Sequence, residues 1–317
     1  MGGVRGLLPA AGGVRLAALP DPGVPIGAQV RVRMLRAPVN PADLLSLEGR
    51  YAFPVDACAP LGAEGVGAVE AVGPRVRDLK PGALVLPLDR GNWCTHRLVE
   101  RSALIAVPPG MEPATAAMMR INPATAQLLL NASGASRGEV LLQNAAGSAV
   151  ARWVRLLAER RGVELIDIVR RPDPALPRAL VDGPELPSAV AALARDRPVR
   201  AALDCVAGGA TARLAACLAA EGRVIVFGHL SGEPIAIASQ ALTGRQITLR
   251  GFSLRPAEAA LGQEGVHRLF DGIWRLAEEG LPPLPVGPVL PMTEAAHALA
   301  LARQGAGGRV QFDLSAE

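Results

Sequence analysis

Between Glu139 and Arg171 the chain spells out one strand–turn–helix–strand unit. Val140-Leu141-Leu142 is a short apolar run, and Ala145 to Ser148 is turn-like. Val150, Trp153, Val154 and Leu157 then recur at helical spacing, Gly162 stops the helix, and Val163 to Val169 resumes as a strand. Two apolar strands joined by a helix pack as parallel neighbours, because only a crossover of this length returns the chain in the same direction. The unit therefore commits the middle of the chain to a layered α/β sheet. Further strands at Arg200 to Val206, Arg223 to Phe227 and Gln246 to Phe252, with a helix over Thr211 to Ala220, extend it.

The first 110 residues have a different texture. Ala28 to Met34 alternates apolar and polar, as a half-buried strand does. Gly65 to Gly73, Gly82 to Pro87, His96 to Val99 and Ala103 to Val107 are further short strands between Gly and Pro turns, the pattern of a barrel-like β domain. Met111 to Leu130 is helix-friendly, with Pro123 starting or kinking a segment. At the end come helices over Glu264 to Glu279 and over Thr293 to Gln304, the latter capped by Thr293, and a strand from Gly307 to Phe312. The expected division is residues 1–113 with 257–317 in one domain and 114–256 in the other.

Composition excludes several classes. Apolar residues make up 50% of 317, enough for two cores, but no run reaches the roughly 18–20 needed to span a bilayer. No apolar segment with a cleavage site opens the chain, so neither a signal peptide nor a membrane partner is expected. Lys80 is the only lysine among 33 basic residues, so 32 are arginine; they are scattered, net charge is +4 and aromatics are 3%. A nucleic-acid surface wants clustered basic residues, often with aromatics, so none is expected. Cys58, Cys94, Cys205 and Cys217 form no CxxC pair, so reduced thiols and a cytoplasmic location are expected.

Two segments carry chemistry. Tyr51, the only tyrosine, follows Asn40-Pro41-Ala42-Asp43 and Gly49-Arg50. A phenol is a weak acid that can donate a hydrogen bond or a proton to an oxyanion or carbanion forming beside it. The turn after the first central strand is the other. A dinucleotide needs backbone amides at a turn feeding a helix N-terminus. Asn144, Ala145, Gly147, Ser148, Ala149 and Val150 hold that place, although Gly147 is the loop's one glycine. Arg170 and Arg171 end the second strand, where arginine suits a 2′-phosphate and an acidic residue a free ribose, which points to NADPH. Pro172 to Pro187 contains five prolines, so the helix expected there is shortened or unravelled.

Taken together, the pattern resembles the medium-chain dehydrogenase/reductase superfamily over nearly the whole chain. Leu79-Lys80-Pro81-Gly82 and Gly62-Ala63-Glu64-Gly65-Val66-Gly67 carry the general likeness. Where zinc-dependent members place a cysteine and a histidine, this chain has Asn40-Pro41-Ala42-Asp43 and Ala63, so no metal is implied. Asn40 to Asp43, Gly49-Arg50-Tyr51, Gly91-Asn92-Trp93, Ile121-Asn122-Pro123-Ala124-Thr125-Ala126 and Leu249 to Phe252 resemble the 2-enoyl thioester reductases. The resemblance implies a GroES-like β-barrel domain with a Rossmann-type doubly wound parallel sheet. It implies hydride transfer from NADPH to Cβ of a conjugated enoyl thioester, Tyr51 stabilising the charge on the thioester oxygen and Cα. Asn40 would place cofactor or substrate, and Trp93 would line the cleft. Asn122, Thr125, Phe227, Gly228, Phe252 and Leu254 would lie against the cofactor. Glu64 would order loops, and Asp204 would either face the cofactor or cap its own loop. A homodimer is also implied. Two other readings stay open: a quinone reductase on the same fold, and a non-enzymatic relative with a degraded cofactor site.

Overall fold

The computed structural model describes residues 3–51, 55–195, 197–280, 285–305 and 308–315. The chain forms two compact units, residues 1–121 with 270–317 and residues 122–269. The first junction lies beyond residue 113 because α2 (Pro113–Ala116) belongs to the first unit: Gln311 Nε2 donates to the Ala114 carbonyl at 2.7 Å. The second falls inside α8 (Leu254–Glu279), which breaks at Gly262 in the left-handed region.

The first unit opens on a hairpin, β1 (Arg5–Ala10) and β2 (Gly13–Ala18), turning at Ala11-Gly12 with Gly12 at φ 77°. Sequence patterning missed it because β2 buries none of its residues fully. The larger sheet runs β14 (Val286–Pro291), β15 (Arg309–Asp313), β3 (Gln29–Pro38), β4 (Val66–Val72), β5 (Leu84–Pro87), β7 (Leu104–Ala106). One edge of β3 is shared, β6 (His96–Glu100) taking Gln29 to Arg33 and β15 taking Arg36 to Pro38. The expected alternation is real: Val30, Val32 and Met34 are wholly buried, each contributing about 1.5–3 kcal/mol. They meet Leu7, Val85, Trp93, Leu104 and Phe312 in one core. Two glycines are required by close approach: a Cβ on Gly67 would lie 2.4 Å from Val32 Cγ1, and one on Gly62 2.5 Å from Trp93 Cδ1. At the C-terminal end a 3₁₀ turn at Met292–Glu294 follows Pro291, so Glu294 and not Thr293 takes the N-cap position of α9 (Ala295–Gln304), without a side-chain cap bond. Gly307, expected to open β15, lies outside the described residues.

The second unit is a parallel sheet in the order β10 (Leu180–Val181), β9 (Glu164–Val169), β8 (Val140–Gln143), β11 (Val199–Asp204), β12 (Arg223–Val226), β13 (Thr248–Gly251). The chain moves outward from β8 to β10, then returns to β11 on the other side of β8. The strand order thus reverses between β8 and β11, where sheets of this class bind ligands beyond the strand ends. Around it lie α3 (Asn122–Ser133), α4 (Ala149–Arg161), α5 (Leu186–Ala194), α6 (Gly209–Cys217) and α7 (Ser239–Thr243). Pro123 sits in the first turn of α3, and Gly162 at φ 67° closes α4. No helix lies between β9 and β10: turns at Asp173 to Ala179 replace it, as the prolines require. No described helix is long and apolar enough to cross a membrane.

Candidate active site

In the first unit Asn40 ends the extended chain leaving β3 and precedes α1 (Pro41–Leu47). Asp43, three residues on, reaches back to accept the Asn40 backbone N–H at 2.9 Å, which fixes the helix start. Its other oxygen accepts from Ala63 N at 2.9 Å. Asn40 Nδ2 donates to Glu64 Oε1 at 3.0 Å, and Ile121 N donates to Glu64 Oε2 at 2.9 Å. Glu64 therefore orders loops, tying residue 40 to residue 121. Both carboxyls are fully buried, and burial raises Glu64 to about 7 and Asp43 to about 6, opposed by these hydrogen bonds and nearby arginines. Arg309 is one of those arginines; burial lowers its own pKa against the pull of the two acids.

Tyr51 is half-buried. The Arg90 guanidinium carbon lies 5.3 Å from its ring centroid. Arg90 Nη2 also donates to Ser46 Oγ at 3.3 Å and to Asp43 Oδ1 at 3.4 Å. Trp93 corrects the expectation placed on it. It is wholly buried, its Nε1 donates to the Pro38 carbonyl at 3.2 Å, and its ring meets Phe312 edge-on at 5.0 Å. It is a core residue, not a cleft wall, because Gly62 lets the backbone close over it.

The second unit gathers its candidates at one end of the sheet. Since β8, β9, β11, β12 and β13 are parallel, Asn144, Arg170, Asp204, Phe227 and Phe252 all sit at their carboxyl ends. Asn144 is turned inward: Nδ2 donates to Asp204 Oδ1 at 2.6 Å, and Oδ1 accepts from Cys205 N at 2.7 Å. Asp204 also accepts from Val206 N, Ala207 N and Thr211 Oγ1. Of its two expected roles, the loop cap is the one built. Ala145 holds φ 49°, a conformation that favours glycine. Arg155 reaches from α4 to the Ala146 carbonyl at 3.1 Å and pairs with Asp167 at 2.8 Å, so side chains brace a loop short of glycine. Gly147 is exposed with open space where a Cβ would stand, and Ser148 caps α4, accepting from Ala151 N at 3.2 Å. The amides of Ala149 and Val150 open a 13-residue helix with no acidic residue in its first turn, which suits a pyrophosphate. Arg170 and Arg171 are exposed. Asn122 and Thr125 are buried near the start of α3, while Phe227, Gly228, Phe252 and Leu254 are half-buried. Arg90, Asp43, Arg155 and Asp167 had no assigned role in the sequence; the Asn40-x-x-Asp43 capping spacing alone was readable there.

Two family models match: the alcohol dehydrogenase GroES-like domain over residues 27–127 and zinc-binding dehydrogenase over 180–307. The mitochondrial enoyl-acyl-carrier-protein reductase of Homo sapiens is 33% identical over 72% of this chain and 65% of its own length. That of Xenopus tropicalis is 32% identical over 72% of this chain and 69% of its own. The match thus spans roughly two-thirds of these relatives. Among solved structures, a Bacillus thuringiensis protein classed as an NADPH:quinone reductase superposes with TM-score 0.89 and 26% identity over 98% of both chains. The Etr1p complex with NADP and crotonyl-CoA superposes with TM-score 0.85 at 21% identity, covering 99% of this chain and all of that one, a likeness of fold.

The chain belongs to the medium-chain dehydrogenase/reductase superfamily. Within it, the relatives that establish membership are the enoyl-acyl-carrier-protein reductases. The superfamily's redox partner is a nicotinamide dinucleotide, which the sheet end and α4 amides of the second unit fit. Zinc does not fit. Among the described residues no three His, Cys, Asp or Glu side chains could hold a metal together. Glu64 faces an amide and a backbone N–H, and burial pushes Cys94 up to about 11 and Cys205 and Cys217 to about 12, away from the thiolate a metal needs. The cytoplasmic expectation is overturned: the curated relatives are mitochondrial proteins. Compartment is set by targeting information that leaves no mark on a domain's packing, so composition was a poor guide to it.

Proposed function

We propose that the chain reduces the conjugated C=C of a trans-2-enoyl thioester with NADPH. The observation that carries this is the setting of its lone tyrosine. Tyr51 lies under Arg90, whose guanidinium also bonds to α1 beside a buried acid, in a chain more than 30% identical to enoyl reductases. NADPH, when bound, supplies the hydride that adds to Cβ. The chain's part is to meet the electron pair displaced onto Cα and the thioester oxygen. Tyr51 donates a hydrogen bond to that oxygen and delivers or relays the proton that Cα takes up. Asn40, held against Glu64, fixes the start of the segment that leads to Tyr51. In the second unit, the amides of Ala149 and Val150 bind pyrophosphate, and Arg170 and Arg171 bind the 2′-phosphate. Asn122, Thr125, Phe227, Gly228, Phe252 and Leu254 flank the nicotinamide half. The reading also takes a homodimer formed through β13, one of the two edge strands of the parallel sheet among the described residues.

A second reading, NADPH:quinone reduction, is favoured by the Bacillus thuringiensis likeness. The test is NADPH oxidation followed at 340 nm with a short trans-2-enoyl-CoA, beside benzoquinone and an NADH control. The expected outcome is enoyl-dependent oxidation with NADPH preferred, falling about 10²–10⁴-fold in Tyr51→Phe. Quinone turnover that survives Tyr51→Phe would move the assignment to the second reading. Failure of NADPH to quench the tryptophan fluorescence would sink both.

A further inference from the structure

We propose that Arg90 is a positioning residue for Tyr51, carrying the register of the β5–β6 loop to the phenol. The assignment rests on the reading of Tyr51 given above. A cation over an aromatic face is attracted to the ring's negative quadrupole, and Arg90 stands at 5.3 Å from the Tyr51 centroid, within range. The same guanidinium bonds to Ser46 Oγ and Asp43 Oδ1 on α1. Its side chain is about one-third exposed, so it spans from solvent to the buried acid.

Arg90 is itself fixed from behind. Asn92 Nδ2 donates to the Asp89 carbonyl at 2.8 Å, Arg97 Nη2 pairs with Asp89 at 2.9 Å, and Arg97 Nη1 donates to Asn92 Oδ1 at 2.6 Å. Gly91 N donates to the Gly62 carbonyl at 2.9 Å. The loop before β6 is therefore pinned on both sides of Arg90, and the Tyr51 ring rests against a braced group. Tyr51 follows the end of α1 by only four residues, so anchoring the guanidinium on Asp43 and Ser46 also fixes the distance between ring and helix. A planar cation serves this double duty; an ammonium offers no planar fork.

Two measurements test the assignment. Tyr51 is the sole tyrosine, so ring-¹³C-tyrosine labelling of the full chain gives one ring signature. Arg90→Met should shift it, and Arg90→Lys should shift it less. In turnover, Arg90→Met should lower kcat by about three- to thirty-fold while NADPH binding, read by tryptophan quenching, is unchanged. In a Tyr51→Phe background, followed by single turnover at high enzyme concentration, the same substitution should change the rate by less than about two-fold, because a residue acting through the hydroxyl has nothing left to act on. An unmoved tyrosine signal, or an equal loss in both backgrounds, overturns the proposal. If Arg90→Met fails to fold because Asp43 has lost its neighbour, Arg90→Lys carries the same cycle. If Tyr51→Phe alone leaves enoyl turnover intact, the reading of Tyr51 falls first and takes this assignment with it.

Discussion

Asp204→Ala removes one carboxylate that serves four donors. Oδ1 accepts from Asn144 Nδ2 at 2.6 Å, Val206 N at 2.9 Å and Ala207 N at 3.0 Å, and Oδ2 accepts from Thr211 Oγ1 at 2.6 Å. The side chain is wholly buried. After truncation the Thr211 hydroxyl can rotate and Val206 N lies where water can reach, but Asn144 Nδ2 and Ala207 N are left buried. Each orphaned donor costs about 1–3 kcal/mol, so the loss should be about 4 kcal/mol. Asp204→Asn is the control. It keeps an oxygen for the Oδ1 donors and turns its NH2 toward Thr211, whose oxygen can accept, so the loss should be about 1 kcal/mol. Ala207 sits at φ 64°, a strained conformation held by the bond that Ala would remove, which works in the same direction. Urea unfolding of parent and both variants, followed by tryptophan fluorescence and far-UV circular dichroism, gives the two differences; Trp153 is the reporter within residues 122–269. An Asp204→Ala loss under about 1 kcal/mol, or equal losses for Ala and Asn, would refute the account of Asp204 as the knot between the β8 and β11 loops.

Two further outcomes are expected. The Glu64 carboxyl is held at about 7 against an ordinary 4.5, so its protonated form favours folding. That contribution is full below about 4.5 and is lost as pH rises through about 7, about 3 kcal/mol at most. Glu64→Gln cannot titrate and leaves one N–H facing its new amide. It should therefore be less stable than the parent at pH 5, with the gap narrowing or reversing by pH 8; a gap independent of pH would count against the raised carboxyl. Ala145→Gly relieves a left-handed alanine at about 1–2 kcal/mol and loses part of that to the greater freedom of the unfolded chain. A slight rise in urea midpoint is expected, with NADPH binding retained or tighter; a fall in midpoint would show that the turn does not strain Ala145.

The elements that were legible share one property: their signal is local. β3 alternates, α4 repeats its apolar residues at helical spacing and ends on Gly162, and Pro172, Pro174 and Pro177 leave no room for a helix between β9 and β10. The β1–β2 hairpin was hidden because β2 presents no buried face to alternate against. α1 was hidden because seven residues are too few for periodicity to show. At the site, residue types were readable but not their partners. Asn40, Asn144 and Trp93 were marked out for cofactor or substrate, and each spends polar atoms on the protein instead, on Glu64, Asp204 and Pro38.

By itself, the sequence determined the class of architecture, the place of the turn between β8 and α4 and the singular position of Tyr51. These depend on periodicity, on Gly and Pro geometry and on composition, all properties of neighbours along the chain. Only the tertiary structure decided that Glu64 joins Asn40 to Ile121, that Asp204 joins Asn144 to Thr211, and that Arg90 bridges Tyr51 and Asp43. The Glu64–Asn40 and Asp204–Asn144 bonds close loops of 24 and 60 residues. No spacing rule encodes such a contact, because its partners meet only once the sheets that carry them have formed.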